Sequence, residues 1–150
     1  MGMDQGSART PATSLSFRLG VLGAMAEARW AGRIAGHGVK PKHVALLSSL
    51  RLGAADSQLE LAATLRVAPS LVVLLADQLE TLGAVSRERD PGDRRRQRLV
   101  LTAVGERLLD DCVGAADALD EELVTALSAT ERAALTRILG KLAGAEGLPV

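Results

Sequence analysis

Aromatic residues are almost missing from this chain of 150 residues, which has one Phe, one Trp and no Tyr. Its interior therefore has to be built from Leu, Val and Ala, a composition that favours helices. Cysteine occurs once, as Cys112, which excludes an internal disulfide and fits a reducing cytoplasm. With only two histidines, neither a metal site of ordinary ligand count nor a cofactor is expected. Net charge is absent as well, because 18 Lys and Arg balance 18 Asp and Glu. Any pull toward a polyanion or a membrane must then come from a local patch. The most apolar stretch, Leu71 to Ala76, is far short of the roughly 20 residues that span a bilayer, and the N-terminus lacks the basic-then-apolar order of a secretion signal. Export and membrane insertion are not expected.

What is present is helical periodicity. The length suits one domain with a real core, and residues 1–12, rich in Gly, Ser, Thr and Pro, read as a loose tail. From Thr13, Leu15, Leu19, Leu22, Ala26, Trp30 and Ile34 recur at three- and four-residue steps and predict a helix that stops near Gly36. Pro41 opens a second helix through Val44, Leu47 and Leu50. Ser57 and Glu60 have the spacing of a capping box before a short helix, 58–65. Arg66, Val67 and Ala68 then make a tight turn, and Pro69 opens a longer helix that closes at Gly83. A short and a long helix joined this way form a helix-turn-helix.

After Gly83 the period becomes that of strands, over Ala84 to Arg89 and Gln97 to Thr102, with Asp90-Pro91-Gly92-Asp93 predicting a type II turn. This hairpin is a wing. Thr102 is placed to cap a long helix through Leu108, Leu119, Leu123 and Leu127. Ser128 and Glu131 form a second capping box ahead of a last helix through Leu135, Ile138, Leu139 and Leu142. The predicted order is α-α-(short strand)-α-α-β-β-α-α, a mainly α winged helix-turn-helix. Six arginines between positions 87 and 98 (Arg87, Arg89, Arg94, Arg95, Arg96 and Arg98) face three acids, a local charge of +3. Arginine at a hairpin tip suits a narrow minor groove.

Two spaced motifs carry a family resemblance. Leu79-Glu80-Thr81-Leu82-Gly83-Ala84-Val85-Ser86-Arg87 resembles the L-E-x-x-G-x-x-x-R of the MarR transcriptional regulators. Asp93 to Gly105, with Arg95, Leu101 and Thr102 in register, resembles their D-x-R-x-x-x-x-x-L-T-x-x-G. The resemblance implies a cytoplasmic, bacterial, DNA-binding homodimer that responds to a small molecule. Within residues 13–150, taken as one domain, the winged core would cover about 41–102, with dimerisation helices at 13–36 and 103–145. Leu15, Leu19 and Leu22 at one end and Leu135, Ile138 and Leu142 at the other would form the dimer seam. By the same resemblance the 69–82 helix enters the major groove, Arg95 inserts from the wing, and Asp93 orients it.

The 69–82 helix departs from that pattern. If Val72, Leu75, Ala76 and Leu79 face the core, then Leu71, Val73 and Leu74 face outward and only Ser70 keeps a hydroxyl. Base readout needs donors and acceptors, whereas aliphatic side chains offer only contact with thymine methyls. Ala68 also lacks the capping hydroxyl, at a cost of about 1 kcal/mol. The expected DNA contacts are Ser70, Val73 and Leu74 with Arg87, Arg89, Asp93, Arg94, Arg95, Arg96 and Arg98. An alternative stays open, in which the scaffold has lost sequence-specific DNA binding and serves as a small-molecule binder or a dehydrating or cyclising enzyme.

For a ligand, the resemblance points to the end of the first helix and the start of the second, where Glu27, Arg29, Trp30, Arg33, His37 and His43 fall. Trp30 beside Arg33, His37 and His43 suits an aromatic anion. The plainer reading makes Trp30 core and leaves both histidines exposed at a helix junction. Were the fold catalytic, His37 and His43 with Glu27 or Asp56 would be its general acid-base set. Cys112 follows Asp110 and Asp111 and has no basic neighbour in sequence, so buried packing is expected of it rather than a reactive thiolate.

Overall fold

The computed structural model describes residues 10–53, 57–93 and 97–147. Its elements are α1 (Leu15–Ile34), α2 (Pro41–Arg51), α3 (Gln58–Thr64), α4 (Pro69–Thr81), β1 (Val85–Arg89), β2 (Gln97–Leu101), α5 (Ala103–Leu123) and α6 (Ala129–Ala145). The predicted helices and the two wing strands follow one another in the expected order. The short strand expected between the second and third helices falls in the region of residues 54–56, outside the described residues. Two compact units are formed, Met1–Ala115 and Ala116–Val150. No single helix among the described residues is long and apolar enough to cross a membrane.

The core of the first unit is aliphatic, as the missing aromatics require. Ile34 of α1, Val44, Leu46 and Leu47 of α2, Leu61 of α3, Val72, Leu75 and Leu79 of α4, Val85 and Leu99 of the hairpin, and Leu109 and Cys112 of α5 are buried together. Trp30 packs at the edge of this cluster, and its indole N–H donates to the Cys112 carbonyl at 3.1 Å. The plainer reading of Trp30 is thus the better one. The α1 stripe divides: Ile34 is buried and Trp30 half-buried, whereas Leu15, Leu19 and Leu22 are exposed. Pro11 and Ala12, expected in the tail, form a 3-10 turn with Thr13. Thr13 Oγ1 closes it by donating to the Thr10 carbonyl at 2.8 Å, and Ser14 then caps α1 by accepting from Phe17 N–H.

The join between α4, the hairpin and α5 is close-packed. Gly83 ends α4 with φ +70°, a left-handed conformation that glycine adopts without strain. Thr102 Oγ1 donates to the Gly83 carbonyl at 2.6 Å and accepts from Gly105 N–H at 3.0 Å. This confirms Thr102 as the cap of α5. The bonds bring α5 so close that a Cβ on Gly105 would stand 2.0 Å from the Ala84 carbonyl oxygen. The motif glycine is thus a packing requirement. Arg51, in the last turn of α2, adds a further tie to α5, reaching the Glu106 carboxylate at 2.7 Å and that of Asp110 at 2.8 Å.

In the second unit Ser128 and Glu131 form the predicted capping box at the start of α6, and Arg132 pairs with Glu121 at 2.9 Å. No residue of α6 is buried.

Candidate nucleic-acid interface

The chain turns by 109° between α3 and α4, within the range of helix-turn-helix units. Arg66 makes the turn with φ +53°, while Val67 N–H bonds back to the Ala62 carbonyl at 3.0 Å. Ser57 caps α3 by accepting from Glu60 N–H, whereas Ala68 gives α4 no side-chain cap, as its methyl dictates. Val72, Leu75, Ala76 and Leu79 face the core as predicted. Val73 and Leu74 are 43% and 51% exposed. Leu71, expected outside, is instead half-buried against the core.

Two polar ties hold α4 at its flanks. His43 is only 4% exposed, not at an open junction as the sequence suggested. Its Nδ1 accepts from Lys40 N–H at 2.9 Å, so the proton sits on Nε2, which donates to the Gln78 side-chain oxygen at 2.7 Å. Both ring nitrogens are thereby engaged, which corrects the expectation of His43 as a ligand or acid-base group. The second tie is Arg87, whose guanidinium spans the carboxylates of Asp77 and Glu80. Their hydrogen bonds and charges push it further above its ordinary pKa. Arg87 therefore roots the wing on α4, a correction to its place among the groove-facing cations. Gly83 reverses the chain between Glu80 and Arg87, so the L-E-x-x-G-x-x-x-R spacing held this signal.

The wing is an antiparallel pair with Arg87 opposite Leu99, Glu88 opposite Arg98, and Arg89 opposite Gln97. Arg98 stands 3.8 Å from Glu88, with both side chains about half-exposed. Arg89 is exposed. At the bend, the Asp90 carboxylate accepts from Gly92 N–H at 2.7 Å and Asp93 N–H at 3.3 Å. Gly92 is not among the positive-φ glycines, so the predicted type II turn gives way to one made by the Asp90 side chain. Arg94, Arg95 and Arg96 lie outside the described residues, and Asp93 is exposed beside them.

A cleft of about 680 Å³ opens beside α1 and the start of α2, lined by Ala24, Glu27, Ala28, Ala31, Val39 and Lys40 among others. Of the ligand candidates only Glu27 lines it. Trp30 packs on the core, His43 is buried, and Arg33 and the 3-10-turn His37 are exposed elsewhere. The missed signal was an alanine ladder at positions 24, 28, 31 and 35, a helical spacing that leaves a shallow apolar shelf. Asp56 lies outside the described residues. Cys112 is buried, and burial, with Asp111, pushes its thiol up, as expected of a packing cysteine.

A sharply bent helix pair followed directly by a hairpin fixed to its second helix defines a winged helix-turn-helix protein. The MarR family profile matches residues 41–96. The chain is 36% identical over 90 residues to the transcriptional regulator HosA of Escherichia coli O111:H-, covering 58% of this chain and 67% of that protein. It is 31% identical over 108 residues to the HTH-type transcriptional repressor MdtR of Bacillus subtilis (strain 168), covering 72% and 70%. Among solved structures it is similar to CouR from Rhodococcus jostii RHA1 bound to p-coumaroyl-CoA, with a TM-score of 0.73, 27% identity, and coverage of 91% and 96%. The chain belongs to the MarR family of transcriptional regulators.

Proposed function

We propose that the chain binds duplex DNA as a homodimer and that a small organic effector modulates that binding. The observation that carries this reading is the wing rooted on α4 by Arg87. A hairpin fixed in that way moves with the helix, so one rigid element addresses adjacent grooves. Ser70, Val73 and Leu74 would meet the major groove. Arg89, Arg98 and, from the sequence, Arg94, Arg95 and Arg96 would meet phosphates and the minor groove, with Asp93 orienting Arg95. Arg87 would act from behind, holding the two acids of α4 away from the phosphates.

The homodimer rests on uncovered apolar surface. Leu15, Leu19 and Leu22 of α1 are exposed, as are Leu135, Ile138, Leu139 and Leu142 of α6. Stripes this long mark interaction sites, and a second copy is the partner always at hand. On this reading segments 13–36 and 103–145 are the dimerisation helices and 41–102 the winged core. For the effector, the 680 Å³ cleft has the size of a small-molecule site, and it offers Glu27 and Lys40 above the alanine shelf. The p-coumaroyl-CoA bound to CouR supports the reading, since the fold admits an organic ligand in that relative. Of the acid-base candidates of the enzymatic alternative, His43 is tied into the fold through both nitrogens.

An electrophoretic shift with the DNA upstream of the chain's own coding sequence tests the proposal. Binding should fall steeply with salt, and replacing Arg94, Arg95 and Arg96 together with Ala should abolish it. Absence of any shift at low salt would overturn it.

A further inference from the structure

We infer that the outer face of α4 reads the 5-methyl group of thymine, with Leu74 and Val73 as the specificity-determining side chains in place of a hydrogen-bonding code. This rests on the DNA-binding reading above.

Beyond Ser70, the polar side chains of α4 are engaged within the fold. Asp77 and Glu80, the acceptors that would read a cytosine amino group, are held by Arg87. The Gln78 side-chain oxygen, half of the pair that would read adenine, is held by His43. Thr81 Oγ1 donates to the Asp77 carbonyl of its own helix at 2.9 Å. The helix carries no Lys or Arg, so the bidentate contact to guanine is missing as well. What remains at the exposed first turns is Ser70, Val73 and Leu74.

The only methyl that the standard bases present in the major groove is that of thymine. Pressed against Val73 and Leu74 it is removed from water, a gain of about fourfold in affinity per methyl. Any other base edge there loses water from a donor or acceptor without finding a partner. A protein occupant is a poorer fit, because two adjacent side chains fall well short of the roughly 800 Å² per partner of a stable protein interface. The flanking wing cations Arg89 and Arg98 complement phosphate.

The test needs no known operator. Hairpin duplexes of alternating A and T are compared with the same duplexes in which deoxyuridine replaces thymidine. Alternating G and C is compared with alternating G and 5-methyl-C. Within each pair only the groove methyl differs. The wild-type chain should bind the methylated member at least about fourfold more tightly in both pairs. In Val73→Ala/Leu74→Ala that gap should close while salt-dependent binding persists. In Arg98→Ala all four affinities should fall together with the gap intact. Equal binding of both members by the wild-type chain would sink the inference and leave the DNA-binding reading standing, whereas no binding to any duplex at low salt would sink both. A wild-type chain with no gap whose self-association is lost in Val73→Ala/Leu74→Ala would assign the face to a protein contact instead.

Discussion

Helices α4 and α6 carry apolar stripes of the same spacing and meet opposite fates. In α4, positions 72, 75, 76 and 79 are all buried. In α6, positions 135, 138, 139 and 142 stand 38–46% exposed, and no residue of the helix is buried. An i, i+3, i+4, i+7 spacing thus says that a face wants cover without saying which chain supplies it. The first stripe is closed by α2, α3 and the hairpin of its own unit, whereas the second is left exposed and is the face proposed above for the dimer seam. The largest expected difference follows directly. Leu79→Ala should destabilise the chain by about 2–5 kcal/mol at any protein concentration, read as a lower urea midpoint. Leu139→Ala should do so only where the dimer is populated.

The closed side has a second weak point behind α4. Because the Ala84 carbonyl leaves no room for a Cβ at Gly105, Gly105→Ala should cost about 3 kcal/mol, although alanine is the better helix former. Thermal melts would show it, and an unchanged melting temperature would mean that α5 does not approach the hairpin as described. On the open side, Ile138→Asp places a charge on each copy of a symmetric seam. Sedimentation should then show dimer affinity weakened about a hundredfold with helical content retained. An unaffected dimer would move the seam elsewhere.

This contrast also marks what the sequence made legible. Element order, the inward face of α4, the caps at Ser128 and Thr102 and the packing role of Cys112 all followed from local rules, because period and cap chemistry act within a few residues. Contacts made across the fold did not follow. Nothing local showed that Gln78 meets His43 thirty-five positions away, so a buried, doubly bonded histidine looked like an exposed ligand. Arg87 looked like one more wing cation, since its partners Asp77 and Glu80 become neighbours only after Gly83 reverses the chain. At the bend, Pro91-Gly92 suggested a type II turn, yet the Asp90 carboxylate competes for the same N–H groups and prevails.

The smallest expected effect concerns how each helix begins. Burial secures α4 without a side-chain cap, whereas α6, with nothing buried, starts with both arms of a capping box. Hydrogen bonds from the Ser128 hydroxyl and backbone N–H hold the Glu131 carboxyl below its ordinary value of 4.5. A carboxylate depressed in the folded state adds stability above its unfolded pKa, and that stability is lost as pH falls through the lowered folded value. Glu131→Gln keeps an acceptor at the same place and removes only the charge, which also faces the positive end of the helix dipole. The variant should therefore melt slightly below wild type at neutral pH, and the gap should close in acid well below 4.5. A gap that persists in acid would assign the effect to the geometry of the box rather than to the charge at Glu131.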